Sequence, residues 1–284
     1  MTAWDSIKAC FPPRLPDTHK GTYGTVLSVC GSYGMAGAAI LAARAAYRSG
    51  TGLVVAALPS SIYPIAAVSI PEAIFAPFET NSVVDCFETL TPYLQKANAV
   101  LVGCGLGNTP FTAELVQTVL KNSAVPVVLD ADGINAAIRH IDILETASAL
   151  RVLTPHPKEL AHLLDSTVEH IQADRKAAAL IAAARFHATV VLKGHRTVIA
   201  DETGALWINE TGNPGMAVAG SGDILAGLIA GLLAQGLSPW DAARCGVYLH
   251  GAAGDRAAMR LSQHAMMPTD ILEEIGPLFL QLEQ

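Results

Sequence analysis

TVLSVCGSYGMAGAAILAARAAYRSGTGLVVAAL, residues 25–58, reads as strand, glycine loop, helix and strand. Thr25–Cys30 and Leu53–Leu58 are short runs rich in Val, Leu and Ala, apolar on both sides of the pleat, as in a strand covered on both faces. Between them, Met35–Arg48 is Ala-rich and places Arg44 and Arg48 four residues apart, on one helical face. The pattern recurs along the chain. Ala99–Gly103, Val125–Asp130, Arg151–Thr154 and Thr189–Lys193 read as further strands. Helical patterns lie near residues 83–96, 111–121, 133–139 and 167–186. Buried strands separated by helices make a mostly parallel sheet with helices on both sides, a three-layer α/β/α sandwich. Thr197–Asp201 and Ala205–Asn209 flank Glu202-Thr203-Gly204 and read as a hairpin, hence an antiparallel edge. Two long helices, residues 223–235 and 239 to about 260, are expected to close the fold. No linker, low-complexity tract or repeat interrupts residues 1–284, so a single domain is expected.

The composition narrows the function. Of 284 residues 51% are hydrophobic and 15% charged, enough for a large core and against disorder. Net charge is -7 and no basic run stands out, which argues against a nucleic-acid partner. A phosphate-bearing ligand would have to be held locally, by helix N-termini and a few cations. The five cysteines form no CxxC pair, so reduced thiols and a cytoplasmic location are expected. Met1–Pro16 does not read as a secretory signal. The most apolar run, residues 224–234, is too short to span a bilayer, so no membrane is expected.

The strongest local signal is NPGMAVAGSGD, residues 213–223, running into an apolar helix. Gly220, Ser221 and Gly222 leave backbone N–H groups open to a phosphate at a helix start, a plausible anion hole. Asp223 in the first turn could take a proton from an attacking hydroxyl. The bland alternative makes Asp223 a helix cap; the length of the motif and the helix behind it favour chemistry. LKGHRT, residues 192–197, ends a strand, where ligands of parallel sheets gather. Lys193, His195, Arg196 and Thr197 offer donors for a nucleotide phosphate or ribose, with Gly194 permitting the turn; a solvated hairpin explains them equally well. In TPHPKE, residues 154–159, Pro157 and Glu159 suit a capped helix start, while His156 could bond or stack on a substrate or simply be exposed.

Gly103-Cys104-Gly105-Leu106-Gly107 superficially resembles a dinucleotide fingerprint, with Asp130 ending the next strand. Its spacing is G-x-G-x-G, and Thr109-Pro110 intervenes before the helix, so a hydride-transferring domain is the weaker reading. The loop Gly31–Gly37 either packs helix on sheet or forms a backbone wall against a flat ring. No Gly-Lys pair, G-x-S-x-G or H-E-x-x-H occurs, which excludes a Walker A loop, a nucleophile elbow and a zincin. His250 and His264 lack metal-site spacing, and Asp255 falls within or near the end of a helix with no evident role.

The ordered set of HKG (19–21), the glycine loop into AARAAYRSGTGLV (42–54), VGCGLG (102–107), LDADG (129–133), TPHPKE, LKGHRT and NPGMAVAGSGD resembles the ADP-dependent NAD(P)H-hydrate dehydratases, a branch of the ribokinase-like superfamily. The resemblance spans about residues 15–275. It implies a ribokinase-like fold, often tetrameric, and repair of NADH and NADPH whose nicotinamide ring has taken up water. It implies that Asp223 deprotonates the ring hydroxyl, which attacks the terminal phosphoryl of ADP, Mg²⁺ accompanying the nucleotide. It also implies that Ala38, Gly105, His156 and Asp223 contact the hydrated cofactor, and that Lys193, Gly194, His195, Arg196, Thr197 and Gly222 contact the adenine nucleotide. No protein side chain is assigned to the metal. ADP rather than ATP rests on the resemblance, because the motifs show no size filter. Ala219-Gly220-Ser221-Gly222 departs from the common Gly-Gly-Met-Gly, and Cys104 replaces a common proline. A separate epimerase would interconvert the hydrate epimers. Two rivals stand beside this reading: a kinase for a vitamin-precursor alcohol, and a non-catalytic adenine-nucleotide sensor.

Overall fold

The computed structural model describes residues 2–147, 149 and 151–284. Nine strands form one sheet: β1 Thr25–Val29, β2 Leu53–Pro59, β3 Ile74–Phe78, β4 Ala99–Val102, β5 Val127–Leu129, β6 Arg151–Leu153, β7 Thr189–Leu192, β8 Val198–Ala200 and β9 Leu206–Ile208. Their order is β3-β2-β1-β4-β5-β6-β7-β8-β9. All pairings from β3 to β7 are parallel; β7–β8 and β8–β9 are antiparallel, as the hairpin reading requires. The helices are α1 Ala3–Lys8, α2 Ala36–Arg48, α3 Tyr63–Ser69, α4 Val83–Leu94, α5 Pro110–Asn122, α6 Asp132–Ile138, α7 Ile141–Thr146, α8 Pro157–Leu163, α9 Val168–Ala173, α10 Arg175–Phe186, α11 Ser221–Ala234, α12 Pro239–Leu261 and α13 Pro268–Leu282.

The period of two decides which side chain meets which layer. Leu27, Val29, Val100, Val102, Val127, Leu129, Val190 and Leu192 pack with α4, α5, α6 and α10 on one face. Val26, Leu101, Val128, Val191 and Ile199 pack with α2, α11 and α12 on the other. Helices thus cover both faces, giving the three layers expected. The structure adds elements the sequence reading lacked. β3 carries Pro77 opposite Leu58, tolerable because an edge strand can spare a ladder donor. A third closing helix, α13, packs against α12 and α2. The expected helix over residues 167–186 is two helices, α9 and α10, divided at Asp174, whose side chain caps α10 at Ala177 N.

Helix α11 is buried almost throughout and lies directly on α2. Their backbones touch because α11 presents glycines: a Cβ on Gly227 would lie 2.2 Å from Ala42 O, and one on Gly231 2.7 Å from Ala46 O. Gly227→Val is therefore expected to cost at least about 2 kcal/mol by overpacking, a fall of roughly 5 °C in thermal midpoint. Gly276→Ala in α13, whose new methyl would meet nothing closer than Arg48 Nη1 at 3.9 Å, should instead gain about 0.5 kcal/mol. Equal responses of the two glycines in thermal unfolding would refute the close approach.

Candidate active site

At the carboxyl ends of β5, β6 and β7 the sheet meets the tip of α11. Each strand delivers one polar residue there: Asp130 after β5, Thr154 after β6 and Lys193 after β7. Asp130 is buried, and its Oδ1 accepts hydrogen bonds from Lys193 Nζ at 2.5 Å and Thr154 Oγ1 at 2.7 Å. Glu159 on α8, also buried, lies 3.9 Å from Lys193 Nζ. Burial pushes the Glu159 carboxyl above its ordinary range, and the Lys193 ammonium opposes that rise. Burial would lower the Lys193 pKa, but Asp130 and Glu159 together more than offset it, so the ammonium stays charged.

Gly220 caps α11 with φ +101°, and a Cβ there would meet Leu41 Cδ1 at 2.7 Å. Only glycine fits such a left-handed, crowded turn. Gly222 faces the ion pair: a Cβ on it would sit 3.7 Å from Lys193 Nζ and 3.9 Å from Asp130 Oδ2. A helix N-terminus and an ammonium thus converge on one spot, an arrangement that holds an anion. Asp223 lies in the first turn but is not the cap; that position belongs to Gly220. A carboxyl oxygen of Asp223, one of Asp130 and Cys104 Sγ lie within 4.8 Å of one another. Burial, reinforced by the charge of Asp130, lifts the Asp223 carboxyl to about 6, while Cys104 and Lys193 pull the other way. A carboxylate of that basicity beside an anion site can accept a proton near neutral pH.

The tip opens into a cleft of about 880 Å³. Its lining contains Asp223, Gly220–Gly222, Lys193–Thr197 and His156, so most candidate residues converge on one space. Ala38 and Gly105 do not line it; they pack on each other, a Cβ on Gly105 lying 2.7 Å from Ala38 Cβ, beside Cys104. His156 uses its ring to cap α8, with Nδ1 accepting from Lys158 N and Glu159 N at 3.1 Å each. Thr197 Oγ1 donates to Gly194 O at 3.0 Å and closes the β7–β8 turn, where Arg196 takes φ +54° and pairs with Glu210. His250 is buried and its Nε2 lies 3.3 Å from Ser221 Oγ. Burial lowers its pKa to about 4, which keeps the ring neutral.

Sequence reasoning missed Asp130 as a partner of Lys193 and noted it only as the end of the strand that follows the Gly103–Gly107 run. The usable signal was position: LDADG, TPHPKE and LKGHRT each place a polar residue at a strand's carboxyl end. Among the described residues no helix is long and apolar enough to cross a membrane.

Known proteins resemble this chain in sequence and in fold. The family model described as NAD(P)H-hydrate dehydratase matches residues 26–277. A bifunctional NAD(P)H-hydrate repair enzyme of Moorella thermoacetica is 44% identical over 99% of this chain and 54% of its own length. The chain spans about half the length of the bifunctional repair enzymes it matches. An ADP-dependent (S)-NAD(P)H-hydrate dehydratase of Neisseria meningitidis is 43% identical over 86% of this chain and 81% of that one. The solved ADP/ATP-dependent NAD(P)H-hydrate dehydratase of Bacillus subtilis, co-crystallised with ATP/Mg²⁺, gives a TM-score of 0.87 at 31% identity, covering 99% of this chain and 98% of that one. A ribokinase-like superfamily protein of Enterococcus faecalis gives 0.87 at 28%, covering 100% and 96%. The fold is ribokinase-like.

Proposed function

The chain belongs to the NAD(P)H-hydrate dehydratase family, and from that premise we propose that it repairs the S-epimer of hydrated NADH and NADPH in the cytoplasm, using ADP. The observation that carries the reading is Asp223, a carboxyl of raised pKa on a glycine-tipped helix that faces Lys193. Asp223 takes the proton of the ring hydroxyl. The freed oxygen attacks the terminal phosphoryl of ADP; an O–P bond forms and the bond to AMP breaks. The N–H groups of Gly220 and Gly222 and the Lys193 ammonium meet the charge on the transferred group, the Ser221 N–H being held by Val218 O. Phosphate then leaves the ring carbon, the ring gives up a proton, and the dihydronicotinamide is restored. Lys193–Thr197 and Gly222 would hold the nucleotide; His156, Ala38 and Gly105 would contact the hydrated cofactor, the last two from the wall beside Cys104.

Magnesium fits the donor set, since Asp130 and Glu159 present hard carboxylate oxygens to the cleft. Both already share Lys193. They would therefore hold an ion carried mainly by the nucleotide's own phosphate oxygens, and that ion would supply charge neutralisation there. Assembly into a tetramer and dependence on a separate epimerase belong to the same proposal.

Incubation with hydrated NADH and ADP tests the reading. Recovery of dihydronicotinamide absorbance, with AMP and phosphate formed one for one, is expected; a stable phosphorylated alcohol would instead indicate a small-molecule kinase. Because the base must be ionised, kcat/KM should fall about tenfold per pH unit below an apparent pKa near 6. An acid limb at the ordinary carboxylate value of 3.8 would remove Asp223 from that role.

A further inference from the structure

Asp255 has no place in the chemistry above, yet its carboxylate reaches the loop that builds the anion hole. Its Oδ2 accepts from Gly212 N at 2.8 Å and its Oδ1 from Asn213 Nδ2 at 3.0 Å. Asn213 in turn accepts from Gly215 N at 3.0 Å through Oδ1 and so caps the turn Pro214–Met216. Beyond this point the loop bonds to itself: Met216 N to Asn213 O, Ala217 N to Pro214 O, Val218 N to Met216 O and Ser221 N to Val218 O. Among the described residues, every hydrogen bond from residues 212–220 to a different segment ends on Asp255.

The helix that bears Asp255 is shaped to take the loop. A Cβ on Gly251 would lie 2.2 Å from Thr211 Oγ1, and one on Gly254 2.3 Å from Met216 Sδ. Thr211 Oγ1 donates to Tyr248 O at 3.0 Å, and at the far end His250 Nε2 lies 3.3 Å from Ser221 Oγ. Helix α12 therefore grips the loop at its start, middle and end.

We infer that Asp255 is a positioning residue: its double acceptor fixes the path of Gly212–Gly220 and thereby sets where the N–H groups of Gly220 and Gly222 point. The inference rests on the proposed reading of the glycine turn as a nucleotide phosphate site. A carboxylate is required because both donors must be accepted at once. The substitution Asp255→Asn would turn one acceptor into a donor facing either Gly212 N–H or the Asn213 amide, while keeping volume and helix intact.

Amide hydrogen exchange over residues 211–222 tests the clamp without using turnover. Asp255→Asn should speed exchange across that segment by at least about tenfold, with protection in β4, β5 and α2 unchanged. Calorimetry with ADP and Mg²⁺ then reads the consequence: affinity should weaken by about tenfold or more. Asn213→Ala should weaken it in the same direction, and the double variant should be no worse than Asp255→Asn alone, since both act through one link. Unaltered exchange in the segment overturns the clamp. So does a uniform loss of protection or thermal midpoint with ADP affinity unchanged, which is the mark of a merely structural carboxylate. If the unsubstituted protein binds no ADP while its loop exchange still depends on Asp255, the clamp stands and the nucleotide reading falls.

Discussion

Asp223→Asn is expected to lower turnover of hydrated NADH by at least ~10² while ADP affinity stays within a fewfold of the unsubstituted protein. Asparagine keeps the volume at the tip of α11 and removes only the group that accepts the proton. The same substitution should stabilise the fold. The folded carboxyl titrates at about 6 and the unfolded one near 3.8. Between those values the native state binds the extra proton, so stability falls as pH rises through the window. The penalty is complete above pH 6 and absent below 3.8. A tenfold change in proton affinity corresponds to about 1.4 kcal/mol, and partial exposure of the side chain discounts the total to about 2 kcal/mol. Thermal unfolding at pH 7.5 should show the gain, and at pH 4 it should shrink to near nothing. Turnover that survives, or a gain that does not depend on pH, would each remove Asp223 from the centre of the site.

The second large effect concerns Lys193. Replacing it by methionine leaves Asp130 and Glu159 buried without their cation. Breaking one partner of a buried pair typically costs ~3–5 kcal/mol. Burial already raises Glu159, and loss of the opposing Lys193 ammonium raises it further. Glu159 then titrates higher in the folded than in the unfolded state, so the deficit should be small in acid and grow as pH rises through its raised value. Nucleotide affinity should fall by more than about tenfold, because the ammonium opposite Gly222 is gone. The checks are denaturant midpoints at pH 5 and pH 8 and an ADP titration. A deficit equal at both pH values would show that Lys193 acts by packing rather than charge.

What could be read from the sequence followed how local each signal was. β1, β2, β4, β5 and β7 are near-continuous apolar runs, and the β8–β9 hairpin carries its own turn, so local pattern and tertiary burial agree. β3 was hidden because Ile-Phe-Ala-Pro-Phe alternates in exposure and contains a proline, which reads as a loop until its edge position is known. α13 starts beyond a turn at Ser262–Met267 and includes Pro277, which breaks the helical pattern. At the site, NPGMAVAGSGD exposed Asp223 because glycine turn and helix adjoin in the chain. The Asp130–Lys193–Glu159 cluster draws on three motifs separated by tens of residues, and only the sheet brings them together. Asp255 was further out of reach, since an acidic residue inside a helix looks like a solvated face until its partners are known.

The glycine seam between α2 and α11 has a mechanical corollary. Helix α11 carries the glycine turn at its tip, and α2 begins beside the Ala38–Gly105 wall. With Gly227 and Gly231 pressed against the α2 main chain, the two sides are riveted into one beam. They are therefore expected to move together rather than part like jaws around a reactant. Any opening and closing of the cleft is then expected to fall to the exposed Ala217–Ala219 span or the glycine loop ahead of α2. Small-angle scattering should accordingly show the same envelope with and without nucleotide.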